Sequence, residues 1–178
     1  MNDSSLVKKC IEGDQRAQRK LFEKFAPKML GVSMRYAKNT EQAEDVLQDG
    51  FVKVFTKLSH YKGDGPLEGW IRRVVVNTAL DQIRKNTKFQ DNVALDDVDY
   101  RLELKGNVLE TLAAEDLMEL INEMPTGYKV VFNMFAIEGY SHKEIAQELD
   151  VSENTSKSQY LRARSYLKKK LEEIKFER

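Results

Sequence analysis

The sequence predicts an all-α protein: two small helical domains joined by a flexible acidic linker, the C-terminal one containing a helix-turn-helix. Three observations predict it. Apolar residues recur at three-to-four spacing through residues 4–86 and again from about 112 to 172. Between them, residues 87–111 lose that period and become acidic. Nine Gly and three Pro in 178 residues leave little material for the turns of a β fold. The expected domains are residues 1–88 and 112–178, with 89–111 as a connection too long for the interior of one compact domain.

Residues 4–38 read as helices interrupted at Gly13-Asp14, where Asp14 can cap, and again at Pro27, which suits a first helical position. Thr40 is the expected cap of a long helix from about Glu41 to Leu58. Its apolar face is Ala43, Val46, Leu47, Phe51, Val54, Phe55 and Leu58. Its other face holds Glu41, Glu44, Asp45, Gln48, Asp49 and Val52, which fits a solvated surface or a docking face equally. Gly50 in mid-helix costs about 1 kcal/mol relative to Ala. Either another helix approaches closely there or the position simply tolerates Gly.

Residues 59–69, SHYKGDGPLEG, form a loop, and a helix from about Leu67 to Asn86 follows. Trp70, Ile71, Val74, Val75, Leu80 and Ile83 can supply its buried side, with Arg72, Arg73, Asn77, Asp81, Arg84 and Lys85 as a polar, mostly basic strip. Aromatics beside cations suit single-stranded nucleic acid, because bases stack on rings while cations track phosphates. A core Trp70 and a loop-anchoring Tyr61 would produce the same pattern.

In the C-terminal part, Leu112, Leu117, Leu120 and Ile121 mark a helix ending near Met124-Pro125. Tyr128, Val131, Phe132, Phe135 and Ile137 mark another, ended by Gly139. Ser141 with Glu144 fits a capping box, and Ile145, Ala146 and Leu149 share one face. Ser152 can cap a basic helix that runs on to about Glu172. Helix, tight turn and basic second helix suggest a helix-turn-helix, whose second helix enters the DNA major groove. A helical hairpin with a solvated basic face shares that spacing.

Composition narrows the function classes. The net charge is zero, but residues 1–90 carry 17 Lys and Arg against 11 Asp and Glu, residues 91–138 carry 3 against 11, and residues 139–178 carry 9 against 7. Phosphate neutralisation is therefore expected at the two ends rather than throughout. No apolar run approaches the roughly 18 to 20 residues that span a bilayer, the N-terminus lacks the pattern of a secretion signal, and the single Cys10 reads as a packing residue. A cytoplasmic location is expected. There is no phosphate-binding Gly-rich motif, His60 and His142 lie in different modules, and no nucleophile-base grouping stands out. No enzymatic activity, cofactor, metal or small-molecule substrate is expected.

These stretches, in this order, resemble an extracytoplasmic-function sigma factor, the smallest type of bacterial RNA polymerase specificity subunit. EDVLQDGFVKVF at 44–55 is similar to the family's region 2.2, WIRRVVVNTALDQIRK at 70–85 to regions 2.3 and 2.4, and residues 117–164 to region 4. The resemblance implies that the chain directs core RNA polymerase to promoters. Asp45, Gln48, Asp49 and Val52 would then dock on the clamp helices of the largest core subunit. Tyr61 and Asn77 would capture a base flipped from the −10 non-template strand, with Lys53, Lys62, Arg73 and Arg84 on its backbone. The recognition helix would read the −35 duplex through Asn154, Lys157, Ser158 and Arg162, with Arg164 on phosphate. An anti-sigma factor is a further partner that the family implies and that no residue here identifies. Many members carry Val where this chain has Ser156, a change expected to weaken the core slightly. A stand-alone helix-turn-helix regulator is the competing reading, and residues 41–85, which such a regulator does not need, discriminate the two.

Overall fold

A helix with an apolar stripe must cover that stripe, and four such helices in succession cover one another. The computed structural model describes residues 3–86 and 114–176. The chain divides into two compact units, Met1–Asn86 and Thr87–Arg178. The described residues are helical apart from turns and contain no strand. The acidic linker expected at 89–111 lies outside the described residues, as does Leu112.

In the first unit, α1 (Asp3–Ile11) buries Leu6, Val7 and Cys10. Burial, with a smaller contribution from Asp14, pushes the Cys10 thiol up, which keeps it protonated and in the packing role expected of it. Gly13 turns the chain at φ +85, and the Asp14 carboxylate accepts from the Arg16 and Ala17 amides at 2.8 and 3.2 Å to start α2 (Gln15–Tyr36). The break expected at Pro27 does not occur: α2 runs through it for 22 residues. The proline ring lies on the exposed side, while Phe25, Ala26, Met29 and Val32 are buried around it. Burial of that face outweighs the roughly 3 kcal/mol that an interior Pro costs.

Helix α3 (Thr40–Lys57) starts one residue earlier than expected, because Asn39 rather than Thr40 is the cap and accepts from the Gln42 amide at 2.8 Å. Its buried face is the expected one, except that Phe55 is only half-buried. A 3-10 turn (Leu58–His60) leads into the loop, and α4 (Leu67–Asn86) follows. Helices α2, α3 and α4 pack on one another and α1 packs on α2. Leu21, Met29, Val54, Leu58, Leu67, Ile71 and Val75 lie at their meeting point, all but sealed from solvent.

At Gly50, α3 and α4 approach each other closely. A Cβ there would stand 3.1 Å from Cγ2 of Val75, which settles the choice between close approach and tolerance. Gly50→Leu should therefore destabilise this unit by about 1–3 kcal/mol through overpacking, seen as a lower urea midpoint at unchanged slope. Gly50→Ala, with about 1 kcal/mol of helix propensity in its favour, should stay much closer to the parent. Equal midpoints for the Leu variant and the parent would mean that the two helices slide apart freely.

The second unit contains α5 (Ala114–Glu123), α6 (Thr126–Phe132), α7 (His142–Leu149) and α8 (Glu153–Phe176). Its core gathers Leu120, Ile121, Met124, Phe132, Ala163, Leu167 and Leu171. The helix expected to run from Tyr128 to Ile137 instead changes to a π turn at Asn133–Ile137, where the Glu138 amide donates to the Asn133 carbonyl at 2.9 Å. The wider turn carries one extra residue, which alters the direction in which the following side chains project. Asn133 and Met134 stay buried and Phe135 comes to lie on His142.

Candidate nucleic-acid interface

The helix-turn-helix is built as its sequence pattern requires. Ser141 caps α7 in a full capping box: its hydroxyl accepts from the Glu144 amide at 3.2 Å, and the Glu144 carboxylate accepts from the Ser141 amide at 2.9 Å. Ile145 and Leu149 are buried beneath. The turn closes at Asp150, which takes a left-handed conformation at φ +54 where a glycine is more usual. The Ser152 hydroxyl then accepts from the Thr155 amide at 2.9 Å to start α8.

On α8, Asn154, Lys157 and Arg164 are exposed, Arg162 is half-buried, and Ser158 is buried with its hydroxyl donating to the Thr155 carbonyl at 2.9 Å. Ser158 thus faces the interior of the unit, unlike the other expected contact residues. Lys157 pairs with Glu153 at 3.1 Å, and the Arg164 guanidinium lies 6.0 Å from the Tyr160 ring centre.

Ser156 was expected to weaken the core. It is fully buried, but its hydroxyl lies 2.9 Å from Nδ1 of His142 across the turn, so the group is satisfied. His142 in turn stacks on Phe135 at 4.3 Å between centres and meets the Tyr160 ring edge-on at 5.8 Å. Burial first and the Lys157 charge second lower the imidazole pKa from 6.5, with Glu153 opposing. The unfolded chain therefore holds that proton more tightly than the folded one. The stabilisation is complete above pH 6.5 and is lost as pH falls from there through the lower folded value. Thermal midpoints taken from about pH 7.5 to 5.5 should fall more steeply for the parent than for His142→Asn, an uncharged side chain that does not titrate in that range. Parallel profiles would remove His142 from the pH response.

In the first unit the expected strand-binding residues lie on the loop and along α4, with Lys53 on α3. The Tyr61 hydroxyl donates to the Gly65 carbonyl at 2.6 Å and closes the loop on itself. Its half-buried ring lies 5.7 Å from that of Trp70, at 52°. Tyr61 is therefore a loop anchor whose ring stays partly exposed. Trp70, expected on the buried side, is also only half-buried. Lys62 is exposed in the loop. Trp70, Arg73, Asn77, Asp81 and Arg84 recur every three or four residues along one face of α4. Within this strip Asn77 is half-buried, and its Oδ1 is closed off from solvent with no hydrogen-bond partner. Lys53 of α3 and Arg84 both reach Asp81, at 2.8 and 3.2 Å on different carboxylate oxygens. Nothing in the helical spacing singles out Asp81 from its neighbours on the strip. Only the approach of α3 shows that two expected cations share it.

The acidic face of α3 is exposed at Asp45, Gln48 and Asp49, and Val52 among them is 66% exposed. Asp49 accepts from the Gln82 side chain at 3.2 Å, which ties this face to α4. Among the described residues Val52 is the most exposed of the large apolar side chains. Among the described residues no His, Cys, Asp and Glu cluster could hold a metal ion, and no helix is long and apolar enough to cross a membrane.

Two family models match the chain, sigma-70 region 2 over residues 21–89 and sigma-70 region 4 over residues 114–167. The chain belongs to the sigma-70 family. Within it, the chain is an extracytoplasmic-function sigma factor. It is similar to the RNA polymerase sigma-H factor of Pseudomonas aeruginosa, at 26% identity over 97% of this chain and 95% of the relative. The ECF RNA polymerase sigma-E factors of Haemophilus influenzae and Escherichia coli are each 24% identical over 98% of this sigma factor. Two solved structures share the fold. One is the Bartonella quintana sigma factor RpoE in complex with the anti-sigma factor NepR, with a TM-score of 0.56 and 19% identity over 88% of this chain and 96% of that one. The other is CnrH in complex with the cytosolic domain of CnrY, with a TM-score of 0.54 and 22% identity over 96% of this chain and 97% of that one. Helix α1 and the segment to residue 20 precede the region 2 match, while the loop, α3 and α4 of this sigma factor fall inside it.

Proposed function

We propose that this sigma factor directs core RNA polymerase to promoters in the cytoplasm by three separate contacts. Asp45, Gln48, Asp49 and Val52 on α3 dock on core polymerase. The loop and α4 capture the melted −10 non-template strand, with Tyr61 and Asn77 at a flipped base and Lys62, Arg73, Lys53 and Arg84 along its backbone. Helix α8 reads the −35 duplex through Asn154, Lys157 and Arg162 with Arg164 on phosphate, while the inward-facing Ser158 supports the helix. An anti-sigma factor is a further partner, by analogy with the complexes of RpoE and CnrH.

The observation that supports the strand-capture part is the half-exposed Tyr61–Trp70 ring pair, whose Trp70 begins the strip of α4 that carries Arg73, Asn77 and Arg84. A half-exposed ring gives an extruded base a face to stack on. Lys53, Asp81 and Arg84 together keep a net positive charge where a backbone phosphate would pass.

Reconstituted transcription from a promoter library tests the reading. The chain alone should bind promoter duplex weakly, and sequence-dependent initiation should require core polymerase. Tight, specific duplex binding without polymerase would instead favour a stand-alone regulator.

A further inference from the structure

The recognition helix starts from a turn of only a few residues, so its direction depends on what fixes its first turn. In this chain one polar contact does so from inside. Ser156 is the fourth residue of α8 and fully buried, and its hydroxyl meets Nδ1 of His142, the first residue of α7, at 2.9 Å. The imidazole cannot turn away, because Phe135 from the π turn covers one of its faces at 4.3 Å and Tyr160 of α8 stands against it at 5.8 Å. Three elements thus meet on one ring: the π turn, the start of α7 and the first two turns of α8. An apolar residue at 156 would pack without regard to direction, whereas a hydrogen bond holds only over a narrow range of distance and angle.

We propose that His142 and Ser156 are a positioning pair that sets the seating of the recognition helix and thereby the discrimination of the upstream duplex element. This rests on the reading of α8 as the duplex-reading helix. Neither side chain touches DNA; both act through the placement of Asn154 and Lys157, which sit on the same turn of α8 as Ser156. The pair is also open to protons. A neutral imidazole can accept the Ser156 hydroxyl proton at Nδ1, but a protonated ring can only donate there, which forces the hydroxyl to rotate and find another acceptor. The charges acting on the ring come from α8, where Lys157 opposes protonation and Glu153 favours it. The π turn brings only the uncharged Phe135 ring.

The test is a cycle of full-length chains in reconstituted holoenzyme: parent, His142→Leu, Ser156→Val, the double variant, and His142→Asn, whose amide can replace the Nδ1 contact without titrating. The readout is the ratio of initiation from a promoter with its upstream element intact to initiation from one with that element scrambled, a ratio in which polymerase activity cancels, taken below the thermal midpoint of the second unit of every variant so that each chain is folded. Each single variant should lower the ratio about fivefold, the scale set by a buried hydroxyl or imidazole left without its partner. The double variant should lose no more than either single one, because the two losses are one contact counted twice. His142→Asn should keep the ratio and lose its dependence on pH between about 7.5 and 5.5. Losses that multiply in the double variant, or an Asn variant as damaged as the Leu one, would overturn the pair. If the parent itself initiates nowhere with core polymerase, the promoter reading fails on its own. The same cycle in thermal midpoints then decides the pair, coupled losses upholding it and additive losses removing it.

Discussion

Holoenzyme carrying Tyr61→Ala should form open promoter complexes at least tenfold less well than the parent, while its affinity for core polymerase and for upstream duplex stays unchanged. In the proposed reading the ring stacks on one base, and base–aromatic stacking is worth about 1–3 kcal/mol on removal. Alanine also removes the hydroxyl that closes the loop on the Gly65 carbonyl at 2.6 Å, so the remaining loop is less well placed for the strand. Tyr61→Phe separates the two contributions: it keeps the ring beside Trp70 and loses only the hydrogen bond, and should fall between parent and Ala. Asn77→Ala should resemble Tyr61→Ala in effect but depend on the identity of the captured base, since an amide reads a base edge and a ring does not. Heparin-resistant complexes on promoters with each base in turn at the flipped position give all of these. If Tyr61→Ala opens promoters as well as the parent, the stacking role is wrong and Tyr61 is an anchor alone.

Val52→Asp should weaken binding to core polymerase at least tenfold, about 1.4 kcal/mol, without loss of folding. Val52 is 66% exposed, so the folded unit gains little from it. An aspartate at the centre of an interface is a charge that must be desolvated, whereas at the rim it is tolerated. Ile11→Asp is the matched control, since Ile11 is 51% exposed on a different helix, α1. Titration of labelled chain with core enzyme measures both. Equal affinities for the Val52 variant and the parent would place docking on another surface, and the carboxylates at 45 and 49 would then be a solvated face.

Much of the fold is legible in local pattern. The buried face of α3 follows from its spacing, and the starts of α7 and α8 from Ser141 and Ser152, because caps and amphipathic faces are decided within a few residues. The misses are where a distant surface overrules a local rule. Pro27 reads as a break, yet α2 continues because its buried face is held by α3 and α4. The π turn at Asn133–Ile137 leaves no mark in a periodicity that assumes 3.6 residues per turn. The acidic face of α3 and the basic strip of α4 can be read from helical spacing. The state of each residue within them cannot, as the shared carboxylate of Asp81 and the inward turn of Ser158 show.

By itself the sequence determined the class, the two helical modules, the helix-turn-helix and the family, since each of these rests on residue types at short, regular intervals. Only the tertiary structure decided which polar groups are engaged: that Lys53 and Arg84 meet on one carboxylate, that the Oδ1 of Asn77 is shut away unpaired, that Gly50 admits Val75, and that Ser156 is satisfied by His142. The physical reason is one of range. Helix propensity and amphipathicity are set by neighbours three or four residues away, whereas a hydrogen bond or a close helix crossing depends on where a separate element comes to rest.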